Sequence, residues 1–217
     1  MQFTQLIVLG FALMIGTIDS ASAQAPSTPE NFSISATGPG CNRYNVMPKS
    51  PGFSIKSTDF KEGEIFKTAQ RSGVFGAGGT DTSPQLSWSG FPAATKSFVI
   101  TMYDPDLLIT GSGFWHWVVM NIPANVTSLP ANAGSVDGKL LPTTAVKMMN
   151  DASMARYIGA APPKDGIKHR YVIAIYAVDV PSLLAEVPPN ATPAYLHFVL
   201  ASHTLARAAI TAYSQTL

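Results

Sequence analysis

The 217-residue chain carries 14 Lys and Arg against 13 Asp and Glu, a formal net charge of +1 with charged residues at only 12%. So sparse and balanced a charge supplies no bulk field for nucleic acid or an anionic membrane, and recognition must come from a local site. Its 17 Gly and 17 Pro predict many turns and short strands rather than long helices. The single cysteine, Cys41, rules out an internal disulfide and reads as a free thiol in the loop after Gly38-Pro39-Gly40 rather than a link between chains.

Residues 1–5 are short and polar, and an apolar run follows over 6–15. After a polar stretch comes Ala21-Ser22-Ala23, the small-x-small pattern that fits a signal peptidase pocket. The run falls short of the roughly 18 residues that span a bilayer. The segment therefore predicts a signal cleaved after Ala23 rather than an anchor, and a secreted or periplasmic protein. No Lys or Arg precedes the run, and the alternative is a buried N-terminal strand or helix. Removal of residues 1–23 leaves 194, one domain large enough to bury about 70% of the surface of its unfolded chain.

Residues 24–50, rich in Pro, Ser, Thr and Asn, read as a loosely held leader, and 51–217 as a single domain. Strand-like patches fall at 52–56, 64–67 and 85–88. Three dense β-branched and aromatic runs follow at 97–103, 114–122 and 170–178. These runs are apolar on both faces, which predicts central strands covered on both sides. Residues 124–169 carry turn chemistry without a clear period, and a loop of that length in a compact domain is usually functional. Residues 183–186 predict a short helical turn. Thr192-Pro193 reads as an N-cap followed by Pro at the first helical position, opening a helix over 193–213. The fold class expected is mostly β: a β-sandwich-like core with peripheral helices.

The polar residues at the ends of the central runs carry the chemistry. Asp104-Pro105-Asp106 ends one strand, His116 lies within the next, and His169-Arg170-Tyr171 opens the third. Paired strands gather such groups at one sheet edge, and the proline stiffens the turn. His116, between Trp115 and Trp117, needs a hydrogen-bond partner, for which an Asp is the natural choice. A satisfied core pair of His116 with Asp104, without a ligand, is the bland alternative.

In their order, several motifs make the chain resemble the phosphatidylethanolamine-binding proteins, particularly their bacterial and archaeal branch. They are Thr82-Ser-Pro-Gln-Leu-Ser-Trp88, Thr95-Lys-Ser-Phe98, Tyr103-Asp-Pro-Asp106, Gly111-Ser-Gly-Phe-Trp-His-Trp-Val-Val-Met-Asn-Ile-Pro123, Tyr157-Ile-Gly-Ala-Ala-Pro-Pro163, His169-Arg-Tyr171 and His203-Thr-Leu-Ala206. The resemblance implies two antiparallel sheets with short helices and a C-terminal helix, to which 203–206 would belong. It also implies a small cavity for anions such as phosphate or a phospholipid head group. By that likeness Asp104, Asp106, His116, His169 and Tyr171 fall on pocket positions, and Tyr157 and Pro162 on the wall of the cavity. Arg170 points away by strand alternation and takes a structural role. Leu107-Leu-Ile-Thr110, Gly159-Ala-Ala-Pro-Pro163 and Asn150-Asp-Ala-Ser-Met-Ala155 depart from the family pattern. Leu107, Leu108 and Met154 make the rim more apolar.

The reading is a binding protein without cofactor or turnover, its partners a small anion and, through the family's modulators of kinases and proteases, a protein. Bacterial relatives imply a homodimer. The alternative is a hydrolase of ester or phosphoester substrates using the same Asp and His. Against it, Gly111-Ser112-Gly113 lacks the Gly-x-Ser-x-Gly form of a nucleophile elbow. A metal held by His116, His169 and Asp104 lacks closely spaced ligands, and Lys147-Met-Met149 has no His or Cys beside it. His197 and His203 read as packing histidines. The sequons at Asn31, Asn125 and Asn190 matter only where exported proteins are glycosylated.

Overall fold

The three apolar runs form the middle of a five-stranded antiparallel sheet in the computed structural model, which describes residues 52–216. They are β3 (Ser97–Asp104), β4 (Phe114–Pro123) and β7 (His169–Val178). The edges are β6 (Val146–Lys147), beside β4, and β8 (Thr204–Ser214), beside β7. A second sheet holds β1 (Ser54–Lys56), β2 (Leu86–Ser89) and β5 (Ser128–Leu129) in the order β1-β2-β5. The architecture expected from the sequence, mostly β with two antiparallel sheets, is the one observed.

Strand alternation divides the central residues between two cores. Phe98, Ile100 and Met102 of β3 and Tyr171, Ile173 and Ile175 of β7 face Leu86, Trp88 and Leu129 of the small sheet. Val99, Tyr103, Val172, Ala174 and Tyr176 turn the other way and meet Leu196, Val199 and Leu200 of α1 (Pro193–His203), the one α-helix among the described residues. Every residue of β3 is buried, as a strand covered on both faces requires.

Thr192 caps α1 as expected, its side chain accepting from the Tyr195 N–H with Pro193 in the first turn. The helix does not run to residue 213, however. It ends at His203, and 204–214 is the edge strand β8, so the family-like segment 203–206 straddles the junction and the last described element is a strand where a helix was expected. Of the residues whose spacing suggested a helix here, Ala206 and Ile210 are buried but Leu205 is only partly so and Ala209 is exposed, and burial over 206–214 follows a period of two instead. Ala206, Ala208, Ile210, Ala212 and Ser214 are buried, and they pair in unbroken register with β7 from His169↔Ser214 to Ala177↔Ala206. Pairing with the edge of β7 decides for the strand.

The outer edge of β8 is covered where Phe66 N–H donates to Tyr213 O and Tyr213 N–H to Glu64 O, each at 2.8 Å, so the weak 64–67 patch serves as an edge cover. Residues 183–186 make one hydrogen-bonded turn, Val187 N–H donating to Leu183 O. Among the described residues no helix is long and apolar enough to cross a membrane. The readings of residues 1–50, including the signal, the leader, Cys41 and Asn31, lie outside the described residues.

Candidate ligand-binding site

The antiparallel register brings the end of β3, the start of β4 and the start of β7 to one edge of the large sheet. Asp104, His116, His169 and Tyr171 collect there, all but inaccessible at 1%, 4%, 0% and 0% exposure. His116 owes its place to a backbone irregularity. Met102 pairs with Trp117 and Tyr103 with Trp115, so His116 is an extra residue in β4 opposite none in β3. Strict alternation would turn it to the helix side, opposite Trp117. The bulge keeps it on the inter-sheet side, its ring 4.9 Å from Phe114 and 5.2 Å from Tyr171. The β3–β4 turn is held by Gly113 at φ 76°, where a Cβ would lie 2.3 Å from the Tyr103 hydroxyl and 2.6 Å from Asp104 O.

Asp104 closes the Asp-Pro-Asp turn, its Oδ1 accepting from the N–H groups of Asp106 at 2.8 Å and Leu107 at 3.1 Å. Its Oδ2 lies 2.8 Å from His169 Nδ1. His169 Nε2 lies 3.1 Å from Asp165 Oδ2, so the ring is bracketed by two carboxyl groups. Burial disfavours its charge, but the hydrogen bonds and charges of Asp104 and Asp165 outweigh that and hold its pKa above the ordinary 6.5.

His116 is the opposite case. Its Nδ1 lies 3.1 Å from the carbonyl of Ile158, which only accepts, so Nδ1 carries the proton by the logic of the network. Nε2 is left with a lone pair, buried and without a partner among the described residues. Burial pushes its pKa down to about 4, against the pull of Asp104, and keeps the ring neutral. The Asp expected as its partner belongs instead to His169, because the 157–160 segment rather than β3 faces Nδ1. His116 is thus a neutral acceptor.

The Tyr171 hydroxyl is also buried and unpartnered among the described residues. Burial first, then the charge of Asp104 and the closeness of its carboxylate to the hydroxyl, raise its pKa well above the ordinary 10, so it is a neutral O–H donor that lies near Asp104 and the Ala161 backbone but meets neither in hydrogen-bond geometry. An acceptor and a donor, both unspent, thus sit on rings in edge contact. Buried groups left unpaired in this way are costly and call for an explanation.

The other expected residues stand around this centre. Asp106 is gripped by Arg170, with Nη2 2.6 Å from Oδ1 and Nε and the backbone N–H 2.9 and 2.8 Å from Oδ2. Burial works against its ionisation, but Arg170 prevails and lowers its pKa. The pair clamps the Asp-Pro-Asp turn to the start of β7, which is the structural work expected of Arg170. Tyr157 is fully buried with its ring on Trp117. Its hydroxyl donates to Gln70 O at 2.9 Å. Pro162 is buried and its carbonyl accepts from the Thr216 hydroxyl at 2.7 Å.

Three supporting residues escaped the sequence reading. Asn150 donates to His116 O at 3.2 Å and Arg156 O at 3.0 Å and accepts from the N–H groups of Ala152 and Met154. Asp81 accepts from the N–H groups of Gly73, Val74 and Gly159, which fixes the residue after Ile158. Asp165 covers His169. Asn150 was visible only as a departure from the family pattern, and the other two lacked any local signal. Among the described residues no three His, Cys, Asp or Glu side chains converge as a metal ion needs. Ser112 is exposed on its turn.

Comparison with known proteins bears on the sequence and the fold. Residues 56–215 match the family model described as phosphatidylethanolamine-binding protein. The chain is 43% identical to the UPF0098 protein YbcL of Escherichia coli, over 75% of this chain and 87% of that protein. It is 41% identical to YbhB of the same organism, over 72% and 96%. The crystal structure of E. coli YbcL, described as a member of the mammalian PEBP family, superposes with a TM-score of 0.72 over 76% of this chain and 99% of that one. A homologue from Chlamydia trachomatis, 27% identical, superposes at 0.63 over 77% of this chain and 100% of its own.

Proposed function

The chain belongs to the phosphatidylethanolamine-binding protein family, and from that premise we propose that it is an exported binding protein without turnover, whose Asp104–His116–His169–Tyr171 site takes phosphate-type anions or phospholipid head groups. One observation carries the reading: among the described residues His116 Nε2 and Tyr171 Oη are buried and unpartnered, on rings in edge contact, one an acceptor and the other a donor. A phosphate monoanion or monoester offers both complements. Its P–OH donates to Nε2 while an unprotonated oxygen accepts from the phenol. His169, its pKa raised by hydrogen bonds to Asp104 and Asp165, adds a further N–H donor at the same sheet edge. The signal-like residues 1–23 support a location outside the cytoplasm, where head groups and small anions are the available ligands.

The test is thermal unfolding with inorganic phosphate and with phosphoethanolamine, since a ligand that binds only the folded state raises Tm by mass action. Stabilisation that disappears in His116→Ala is the expected result. Absence of any shift at millimolar ligand overturns the reading. Turnover of an ester or phosphoester, lost in the same variant, replaces it with the hydrolase.

A further inference from the structure

The nitrogen best suited to an anion is already covered by a carboxyl group of the chain itself. His169 uses Nδ1 on Asp104, and its remaining nitrogen, Nε2, lies 3.1 Å from Asp165 Oδ2. The ring is fully buried, whereas the Asp165 side chain keeps 34% of its surface in solvent. Asp165 sits four residues ahead of His169 on a hairpin-like excursion, 164–168, every residue of which is exposed. Gly166 at φ 77° permits its tight turn, and Asp165 Oδ1 accepts from the Ile167 N–H at 2.9 Å. Surface contacts hold the excursion down: Gln215 Nε2 donates to Gly166 O at 3.1 Å and the Lys168 ammonium lies over Tyr213. Segments held mainly at the surface are the ones that open locally at low cost.

Resting on the anion-binding reading above, we infer that Asp165 is an internal competitor that occupies the anion position at His169 Nε2, and that a phosphate group binds fully only when the 164–168 excursion swings out and vacates it. Asp165 then sets specificity as well as affinity. A ligand must present at least the charge of a carboxylate to exchange for it, which favours phosphate groups over neutral alcohols and amides. The exchange conserves a charge-assisted hydrogen bond to His169 and adds the two complements at His116 and Tyr171. Where the open form is about a tenth of the population, the apparent affinity is reduced about tenfold, and removing Asp165 recovers it.

Calorimetric titration of inorganic phosphate and of phosphoethanolamine into the full chain tests this, comparing wild type, Asp165→Ala and Asp165→Asn at low ionic strength. Asp165→Asn retains an acceptor for Ile167 N–H and guards against a merely misfolded excursion. The expected result is binding about tenfold tighter in Asp165→Ala and an intermediate gain in Asp165→Asn. A gain for inorganic phosphate alone assigns a free anion, and a gain for both assigns the phosphate of a head group as well. In the ligand-free protein, NMR titration of His169 reads the contact itself, and its pKa is expected to fall when Asp165 is removed. Equal or weaker binding by the variants, with wild-type binding still lost in His116→Ala, overturns the competition alone. No binding by any of the three overturns it together with the anion reading.

Discussion

Burial of His116 as a neutral ring ties the stability of the fold to pH in a way that can be measured at one residue. Its pKa is about 4 in the folded chain, against about 6.5 in an unfolded one. Because the folded value is depressed, the unfolded state binds the extra proton. The contribution of His116 is therefore intact above pH 6.5 and is lost as pH falls toward 4. Linkage over that interval gives about 2 kcal/mol lost between pH 7 and pH 5. His197, also held near 4, mainly by burial, acts in the same direction. His169 and His203, both raised, act oppositely: their contribution is present below 6.5 and lost as pH rises through their folded values. The wild-type profile mixes all four, so the informative quantity is its difference from His116→Gln, a variant that keeps a donor for Ile158 O. Urea denaturation of both proteins at pH 7 and pH 5 should show the wild type losing about 2 kcal/mol more than the variant. NMR titration of the His116 ring should show a midpoint near 4. Parallel profiles, or a midpoint near 6.5, would refute the buried neutral imidazole and with it the acceptor role of Nε2.

Other substitutions separate support from binding. Asn150→Ala removes four hydrogen bonds that seat the 150–156 turn on His116 O, and chemical denaturation should record a loss of about 2–4 kcal/mol. Arg170→Met strands the half-buried Asp106 and should cost about 2 kcal/mol, while Arg170→Lys, which lacks the bidentate fork, should recover only part of it. Tyr171→Phe deletes a hydroxyl that has no partner in the described protein. Its ligand-free stability should stay level or rise by up to about 1 kcal/mol, while calorimetry shows phosphate affinity about tenfold weaker. A variant that unfolds more readily yet binds as well would reverse that assignment.

What the sequence disclosed depended on whether a signal was local. The central strands were legible because their apolar runs are continuous and end in Pro, Asp or a charged motif. The small sheet was only partly so, since β5 and β6 have two residues each, too few for a period to register. The overlong helix at 193–213 came from extending the well-capped start at Thr192-Pro193 through residues such as Leu205, Ala206, Ala209 and Ile210 at helical spacing, and only pairing with the neighbouring strand β7 shows that 204–214 is extended. At the site, the motif residues Asp104, His169 and Tyr171 fall at strand ends where alternation alone brings them together. His116 reaches the same side through a bulge, and an extra residue is invisible in a one-dimensional pattern. Its partner was misjudged for the same reason. The nearest acid in the motif is taken by His169 across the β3–β7 pairing, and a carbonyl 42 positions away serves His116 instead. Asp81 and Asp165 act through backbone geometry and loop placement, which leave no trace in residue spacing.

The central claim is that His116 Nε2 and Tyr171 Oη together take a phosphate group, and a crystal structure of the protein with phosphate or phosphoethanolamine addresses it directly. The account predicts phosphate oxygens within about 2.6–3.2 Å of both atoms, with the proton of His116 still directed at Ile158 O. Phosphate bound away from both atoms, or both satisfied by the protein itself while the ligand sits elsewhere, would contradict it.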